Sequence, residues 1–551
     1  MAVEGTGAMG VVHYDTIILG AGIAGLACAT RLLQANHTAG GTNRLLILEA
    51  RDRIGGRIAS VHVRGCRLDT GANWIHGTGN ADRPNPLMDI VPHKRCRPVK
   101  GSVLFQAPNE EHGFTRRNTG VESGCLKEVS LDLPGHSTCP AKAITNTKSS
   151  NGLLVPAHVA RLITSCAQNA ISEMQNLATT LPGNVIQQMS VLRALVGTKP
   201  FQASFELVPK MYRRTLGAMF QGIENMEAAP LVAQTTEPGR SESELGVGLL
   251  EYAVDDFDGE QAFLQDGFIE IIDELAKPLL ETGAIALETV VKRVDWTKNP
   301  IVIETSTGQC TAREVVCTIP LGVLKDIGKD TLFVPNLPAD KQEAIESLGF
   351  GTLDKMFAVY SRPWWEEDPY RSSIKKGLIQ MEPQGKDDMP DMFLGFTSEL
   401  SGVSLGRNGS VSPDVYRLPI LNLQSLTGQP VLSAFVSCKT ATEVEGMQDE
   451  DISGLFHRTL TQWFCMELPR PDAVHVTRWA QDPYSRGSYS HMIAGLSQNE
   501  HRKTLQDSIT NAAGGVLRFA GEHCSQDHFA MVHGALLDGW RAADASLQHL
   551  Q

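Results

Sequence analysis

The sequence predicts an α/β protein organised on a Rossmann-like dinucleotide-binding unit, and three observations predict it. A short apolar, β-branched run, Thr16 to Leu19, reads as a buried parallel strand. It leads into Gly20-x-Gly22-x-x-Gly25 and an Ala- and Leu-rich stretch, Ile23 to Leu33, made of good helix formers. A second apolar run, Leu45 to Leu48, ends on Glu49. A lone GxGxxG is weak; the strand before it, the helix after it and the acid closing the next strand give it meaning.

Each piece has a physical reason. Gly20 and Gly22 let the backbone turn tightly and approach a pyrophosphate, and Gly25 lets the helix pack on the strand. The helix N-terminus offers free N–H groups and a positive dipole end to phosphates. Glu49 is placed to accept hydrogen bonds from ribose hydroxyls and to repel a 2′-phosphate.

Length and composition bound the rest. A chain of 551 residues is too long for one small core, and two to four domains are expected, at about 150 residues each. The formal net charge of −13 argues against nucleic acid as a partner and suits a cationic substrate, although solubility alone explains it as well. No leader is visible over Met1 to His13, no membrane-spanning run exists, and the last residues, Gln548 to Gln551, are not of SKL type. A cytoplasmic protein is therefore expected. The eleven cysteines include no CxxC, so neither a disulfide framework nor a metal site is expected.

Along the chain, Ala157 to Ala178 is an amphipathic helix, and Ser204 to Glu224 is expected to form another. A Gly267 turn precedes a helix through Ile269, Ile272 and Leu275. Strands are expected at Ala284 to Leu287, Val290 to Trp296, Ile301 to Glu304, Val315 to Ile319, Lys355 to Tyr360, Val431 to Val436, Val474 to Trp479 and Val516 to Phe519. Helices are expected at Asp451 to Phe464 and Gly534 to Leu547. Residues 78–156 lose apolar periodicity and read as a loop-rich insertion.

Four separated motifs then coincide with one family. They are the glycine loop with Glu49; Ile54-Gly-Gly56-Arg57; Gly71-Ala-Asn73-Trp74-Ile-His76-Gly77; and Phe519-Ala-Gly-Glu522-His with His533-Gly-Ala535. Two weaker ones are Gly351-Thr-Leu-Asp-Lys355 and Gly487-Ser-Tyr489-Ser490. Together the chain resembles the FAD-dependent amine oxidases, most closely polyamine oxidases. The resemblance implies a glutathione-reductase-type FAD-binding domain from residues 1–80, 263–320 and 472–551. A discontinuous α+β substrate-binding domain would come from 81–262 and 321–471.

The same resemblance assigns roles. Gly20, Gly22, Ala24, Gly25, Glu49, Gly56, Arg57, Asn73, Trp74, Val291, Trp479, Glu522 and Val532 would bind the cofactor. Arg57 would pair with its phosphates, as a forked guanidinium can. Val291 would contact the adenine through its backbone. Val532, opening the last helix, would face the flavin pyrimidine oxygen. Lys355 would hold a water beside flavin N5, its ammonium made labile by burial. His76 would bind the substrate nitrogen and leans towards back-conversion of polyamines. Tyr489 would form an aromatic wall for an alkyl amine. Ser488 stands where monoamine oxidases carry a flavin-bonded cysteine, so FAD is expected to be non-covalent.

The implied reaction is hydride transfer from the carbon next to a neutral secondary amine of spermine, spermidine or an acetylated form. It would consume O2 and give an aldehyde, a shorter amine and hydrogen peroxide. Neither a nucleic acid nor a membrane is an expected partner; oligomeric state stays open, with the monomer favoured. The alternatives are oxidation of a monoamine, an L-amino acid or a protein lysine, or an FAD-binding scaffold without turnover.

Overall fold

The computed structural model describes residues 12–39, 44–90, 96–98, 101–107, 154–232, 246–377 and 389–550. The expected insertion at 78–156 and the first eleven residues therefore lie largely outside the described residues. What is described of the insertion includes a helical turn, Leu87–Ile90, and two short strands, Cys96–Pro98 and Ser102–Leu104.

Two sheets organise the described chain. The larger has nine strands, with Val12–Leu19 between Leu45–Leu48 and Gln309–Cys317, all parallel. Ile285–Ala286 extends it beyond Leu45–Leu48, and Val516–Phe519 joins the far side of Gln309–Cys317, again in parallel. The inner strands are buried on both faces, as near-continuous apolar runs require: Ile17, Ile18, Ile47, Val315 and Val316 have no exposed surface. Helix Ile23–Ala39 packs on this sheet beside the last helix, Val532–Leu550. They approach closely because Gly539 has no side chain; a Cβ there would sit 2.3 Å from the Ala24 carbonyl oxygen.

The second sheet is six-stranded and mostly antiparallel, in the order Ala473–Val476, Leu353–Val359, Val431–Ser437, Val411–Asn422, Met392–Leu405, Ser102–Leu104. Its inner face packs on helix Asp449–Phe464 through Phe105, Trp463 and Phe464. Two short strands cross the expected domain limits. Phe333–Val334 pairs in the large sheet, and Ala473–Val476 pairs in the second.

Several expectations need correcting. Ser204 to Glu224 is not one helix. Pro209 lacks an N–H and ends the helix Lys199–Leu207, and the chain continues as a 3-10 turn, Lys210–Tyr212, and two short helices, Arg213–Met219 and Gly222–Glu227. The strand expected at Val315 to Ile319 is Gln309–Cys317, and the one expected to reach Trp479 ends at Val476. The long hairpin Met392–Leu405 with Val411–Asn422 was not expected at all. Pro413 fits within it because that half of its strand pairs on one side only, so the missing N–H is not needed.

Candidate active site

The glycine loop ends the first strand of the large sheet. Gly20 adopts a φ of +107°, and a Cβ there would meet the Thr318 hydroxyl at 2.8 Å. A Cβ on Gly25 would sit 2.0 Å from the Gly20 carbonyl oxygen, so helix and loop touch backbone to backbone. Gly22 is different: no atom lies within 4 Å of where its Cβ would be. The loop is therefore pinned on both sides and open at its centre, the cradle that a diphosphate needs.

Neighbouring segments hold this cradle. The Gly55 N–H donates to the Ala21 carbonyl at 2.8 Å, and Gly56 packs against Gly22 with a φ of +59°. Buried Glu49 accepts from the Ala21 N–H at 2.7 Å and the Arg51 N–H at 2.9 Å. Of its roughly four lone-pair sites one is thus spent on the loop and one on the turn after Glu49, leaving capacity for ribose hydroxyls. Thr289 N–H donates to the Glu49 carbonyl, which brings the strand beginning at Val291 alongside.

Arg57 and Glu522 meet, although 465 positions separate them. Arg57 Nη1 donates to Glu522 Oε1 at 2.9 Å and to the Ser488 carbonyl at 2.6 Å. Glu522 Oε2 accepts from the Ser490 hydroxyl and from the Ala530 N–H, just ahead of Val532. Burial would raise the Glu522 pKa, but Arg57, His523 and these hydrogen bonds overcome it and hold it down at about 2. Buried Arg502 completes the network; it donates to Ser490 Oγ and the His523 carbonyl and stacks 3.7 Å from the Phe529 ring centre.

Lys355 lies in Leu353–Val359 with its ammonium buried. Nζ donates to the carbonyls of Asp69 at 2.9 Å and Gly71 at 2.6 Å, and Trp479 Nε1 donates to the carbonyl between them, Thr70, at 3.2 Å. Burial lowers the lysine pKa to about 7, with Asp69 pulling it upward. Trp479 is set by its N–H to Asp354 Oδ1, which also takes the Thr477 hydroxyl. The segment after Gly71 carries buried Asn73 and the strand Trp74–Ile75, whose indole meets Phe263 edge-on at 5.4 Å. Ser488 donates its hydroxyl to the Leu353 carbonyl and accepts from the Leu353 N–H.

The substrate-side candidates are half-buried. His76 Nδ1 lies 2.7 Å from Gln261 Oε1. Tyr489 donates its hydroxyl to the Met226 carbonyl at 2.8 Å. Next to Met226, Glu227 accepts from the Tyr252 hydroxyl at 2.8 Å, and Glu251 accepts from the Met492 N–H at 2.6 Å. Burial pushes both carboxyls above their ordinary range, and Glu227 raises Glu251 further. Tyr489 and Tyr252 are pushed up by burial and then by Glu227.

Sequence reasoning missed Glu227, Glu251, Gln261 and Arg502. Asp256 is half-buried, 3.0 Å from both His528 Nδ1 and His533 Nε2. These three could hold a metal ion by their spacing. The outer nitrogens of both rings, however, face donors: Arg83 Nη2 at 3.4 Å and Asn85 Nδ2 at 3.3 Å. Metal-bound rings would turn N–H groups towards those donors, so the arrangement suits neutral histidines clamping Asp256.

The glycine cradle, the acid at the next strand and the buried lysine define a dinucleotide-dependent oxidoreductase. The family model for flavin containing amine oxidoreductases matches residues 213–547, and that for an NAD(P)-binding Rossmann-like domain matches 18–90. The chain belongs to the flavin containing amine oxidoreductase family, and its chemistry is FAD-dependent amine oxidation. The peroxisomal N(1)-acetyl-spermine/spermidine oxidase of Bos taurus is 27% identical, covering 96% of this chain and 93% of that protein. Probable polyamine oxidase 4 of Arabidopsis thaliana is 25% identical over 97% of this chain and 86% of its own length. A double mutant of putrescine oxidase, from a redesign of its cofactor binding, superposes with a TM-score of 0.60 over 98% of this chain and 99% of its own, at 17% identity; that likeness concerns the fold.

Proposed function

We propose that this protein oxidises the secondary amine of a polyamine, giving an aldehyde, a shorter amine and hydrogen peroxide. The observation that carries this reading is the carboxyl pair Glu227 and Glu251 near Tyr489: burial holds both above their ordinary range, and a cationic chain bound beside them would restore their charge. Two relatives named for polyamines or their acetylated forms, similar over nearly the whole chain, support it.

The open cradle at Gly22, the N-terminus of Ile23–Ala39 and Glu49 would hold the adenosine diphosphate part of FAD, with Ala24, Gly25, Gly56 and the Val291 backbone around it. Arg57, Glu522, Asn73, Trp74, Trp479 and the Val532 N–H would surround the rest. When bound, FAD supplies the acceptor for a hydride from the substrate α-carbon and passes the electrons to O2. Non-covalent attachment is part of the proposal, because the Ser488 hydroxyl is tied to Leu353 and offers no thiol.

This chain's residues do the rest. Tyr489 presents an aromatic face to the alkyl chain. His76 contacts the reacting nitrogen, and Lys355 manages a proton beside the flavin. Glu227 and Glu251 hold the distal ammonium. The protein acts as an enzyme of the cytoplasm, and its large and second sheets divide cofactor from substrate binding.

A panel of spermine, spermidine and their acetylated forms, with peroxide detection and product identification, tests the proposal. Cleavage at a secondary amine is expected. Glu227→Gln should raise KM for the preferred polyamine roughly tenfold while kcat changes little. Turnover of only monoamines or amino acids would overturn it.

A further inference from the structure

The bond between His76 Nδ1 and Gln261 Oε1 decides which imidazole nitrogen faces the substrate. An amide oxygen only accepts, so the proton in that bond sits on Nδ1. In a neutral imidazole, Nε2 then carries a lone pair and no hydrogen. Burial lowers the His76 pKa, the Gln261 bond opposes this, His533 adds to it and Asp256 opposes it. The neutral ring is therefore the form present at physiological pH.

The backbone at Gln261 is held by its neighbours. It precedes the strand Ala262–Leu264, which pairs antiparallel with Trp74–Ile75 in the register Trp74 to Phe263 and Ile75 to Ala262. Continuing that register by one step sets His76 opposite Gln261. Beyond it, the Thr78 N–H donates to the Glu260 carbonyl and the Gly79 N–H to the Asp258 carbonyl. At the far end of this segment Asp256 is gripped by His528 and His533, next to Val532. The backbone that carries the exposed Gln261 side chain is thus held by a ladder on one side and a three-residue clamp on the other, and the amide itself is held by its bond to His76.

We propose that Gln261 is a positioning residue that locks His76 in the Nδ1–H tautomer, so that Nε2 accepts the N–H of the substrate amine. This rests on the reading of His76 as the group that meets the reacting nitrogen. When the substrate arrives protonated, its N–H bond breaks and an Nε2–H bond forms. The electron pair stays on the substrate nitrogen, which becomes the neutral amine that can lose hydride. The charged and titratable groups around His76 are Asp256 and His533, with Asp258 and Glu260 on the Gln261 segment and Arg83 and His528 beyond them.

The test uses the FAD-loaded enzyme with spermine, comparing wild type, Gln261→Leu, Gln261→Glu and His76→Ala by kcat/KM against pH. Gln261→Leu should lose roughly tenfold in kcat/KM, the usual cost of removing a hydrogen-bond partner that orients a functional histidine. Gln261→Glu keeps an acceptor, so it should recover the wild-type value on the alkaline side. Its carboxylate should move the acidic limb up by about one pH unit. If His76→Ala lowers kcat/KM but both Gln261 variants match wild type at every pH, the positioning role is overturned and the contact between His76 and substrate stands. If His76→Ala is silent, that contact fails and the positioning role with it. Ring nitrogen NMR of the wild-type holoenzyme reads the tautomer without any variant: a protonated Nδ1 is expected, and a protonated Nε2 on a neutral ring would overturn the proposal.

Discussion

Lys355 and Glu522 titrate far from their ordinary values in opposite roles. Burial brings Lys355 down to about 7, so its neutral amine is available from neutral pH upward. Lys355→Met should slow the reaction of reduced enzyme with O2 by at least tenfold and leave anaerobic reduction by substrate nearly unchanged; stopped-flow rates of the two half-reactions check this. Glu522 falls from 4.5 to about 2 on folding, because Arg57 and its hydrogen bonds outweigh burial. A depressed carboxyl contributes stability that is complete above the unfolded pKa and is lost as pH falls through the folded one. The contribution is on the order of 3 kcal/mol, lost between about pH 4.5 and 2. Glu522→Gln should lower the melting temperature at pH 7 and flatten its fall across that window.

Elements differ in how plainly the sequence announces them. The first strand, glycine loop and helix are local, and their residues do their work within a few positions of one another. Gly25→Ala should therefore act locally too: the new methyl would sit 2.0 Å from the Gly20 carbonyl oxygen and force helix and loop apart. A loss of about 1–3 kcal/mol and of most bound flavin is expected. Gly183→Ala, with nothing within 4 Å, should change neither melting temperature nor flavin content. The hairpin Met392–Leu405 with Val411–Asn422 was illegible because Gly395, Gly402 and Pro413 interrupt the pattern that marks a strand. Gly395 is there to admit the Trp463 ring, whose Cζ2 would lie 2.3 Å from a Cβ, and only the packed structure reveals that. Gln261 and Asp256 were invisible for a related reason: their partners stand 185, 272 and 277 positions away, beyond any local spacing rule. Arg57, Lys355 and Glu522 were legible only because each belongs to a recurring motif.

At the scale of the molecule, both ends of the described chain converge on one sheet: Val12–Leu19 and Val516–Phe519 flank Gln309–Cys317. Loss of either end should therefore abolish flavin retention and not merely trim the surface. The formal charge of −13 gives the whole protein a field that attracts polycations. Raising ionic strength should lower kcat/KM for spermine by roughly two- to tenfold, with a smaller effect on kcat, as charges beyond about 10 Å become screened at 0.1 M salt. An unchanged kcat/KM would place recognition entirely in short-range contacts such as Glu227 and Tyr489. The most direct measurement is the colour of the purified protein under anaerobic spermine. A yellow protein that bleaches on mixing, and regains its colour with release of hydrogen peroxide when air is admitted, is the expected result. A protein that stays colourless with added FAD, or a yellow one that spermine, spermidine and their acetylated forms all leave unbleached, would contradict it.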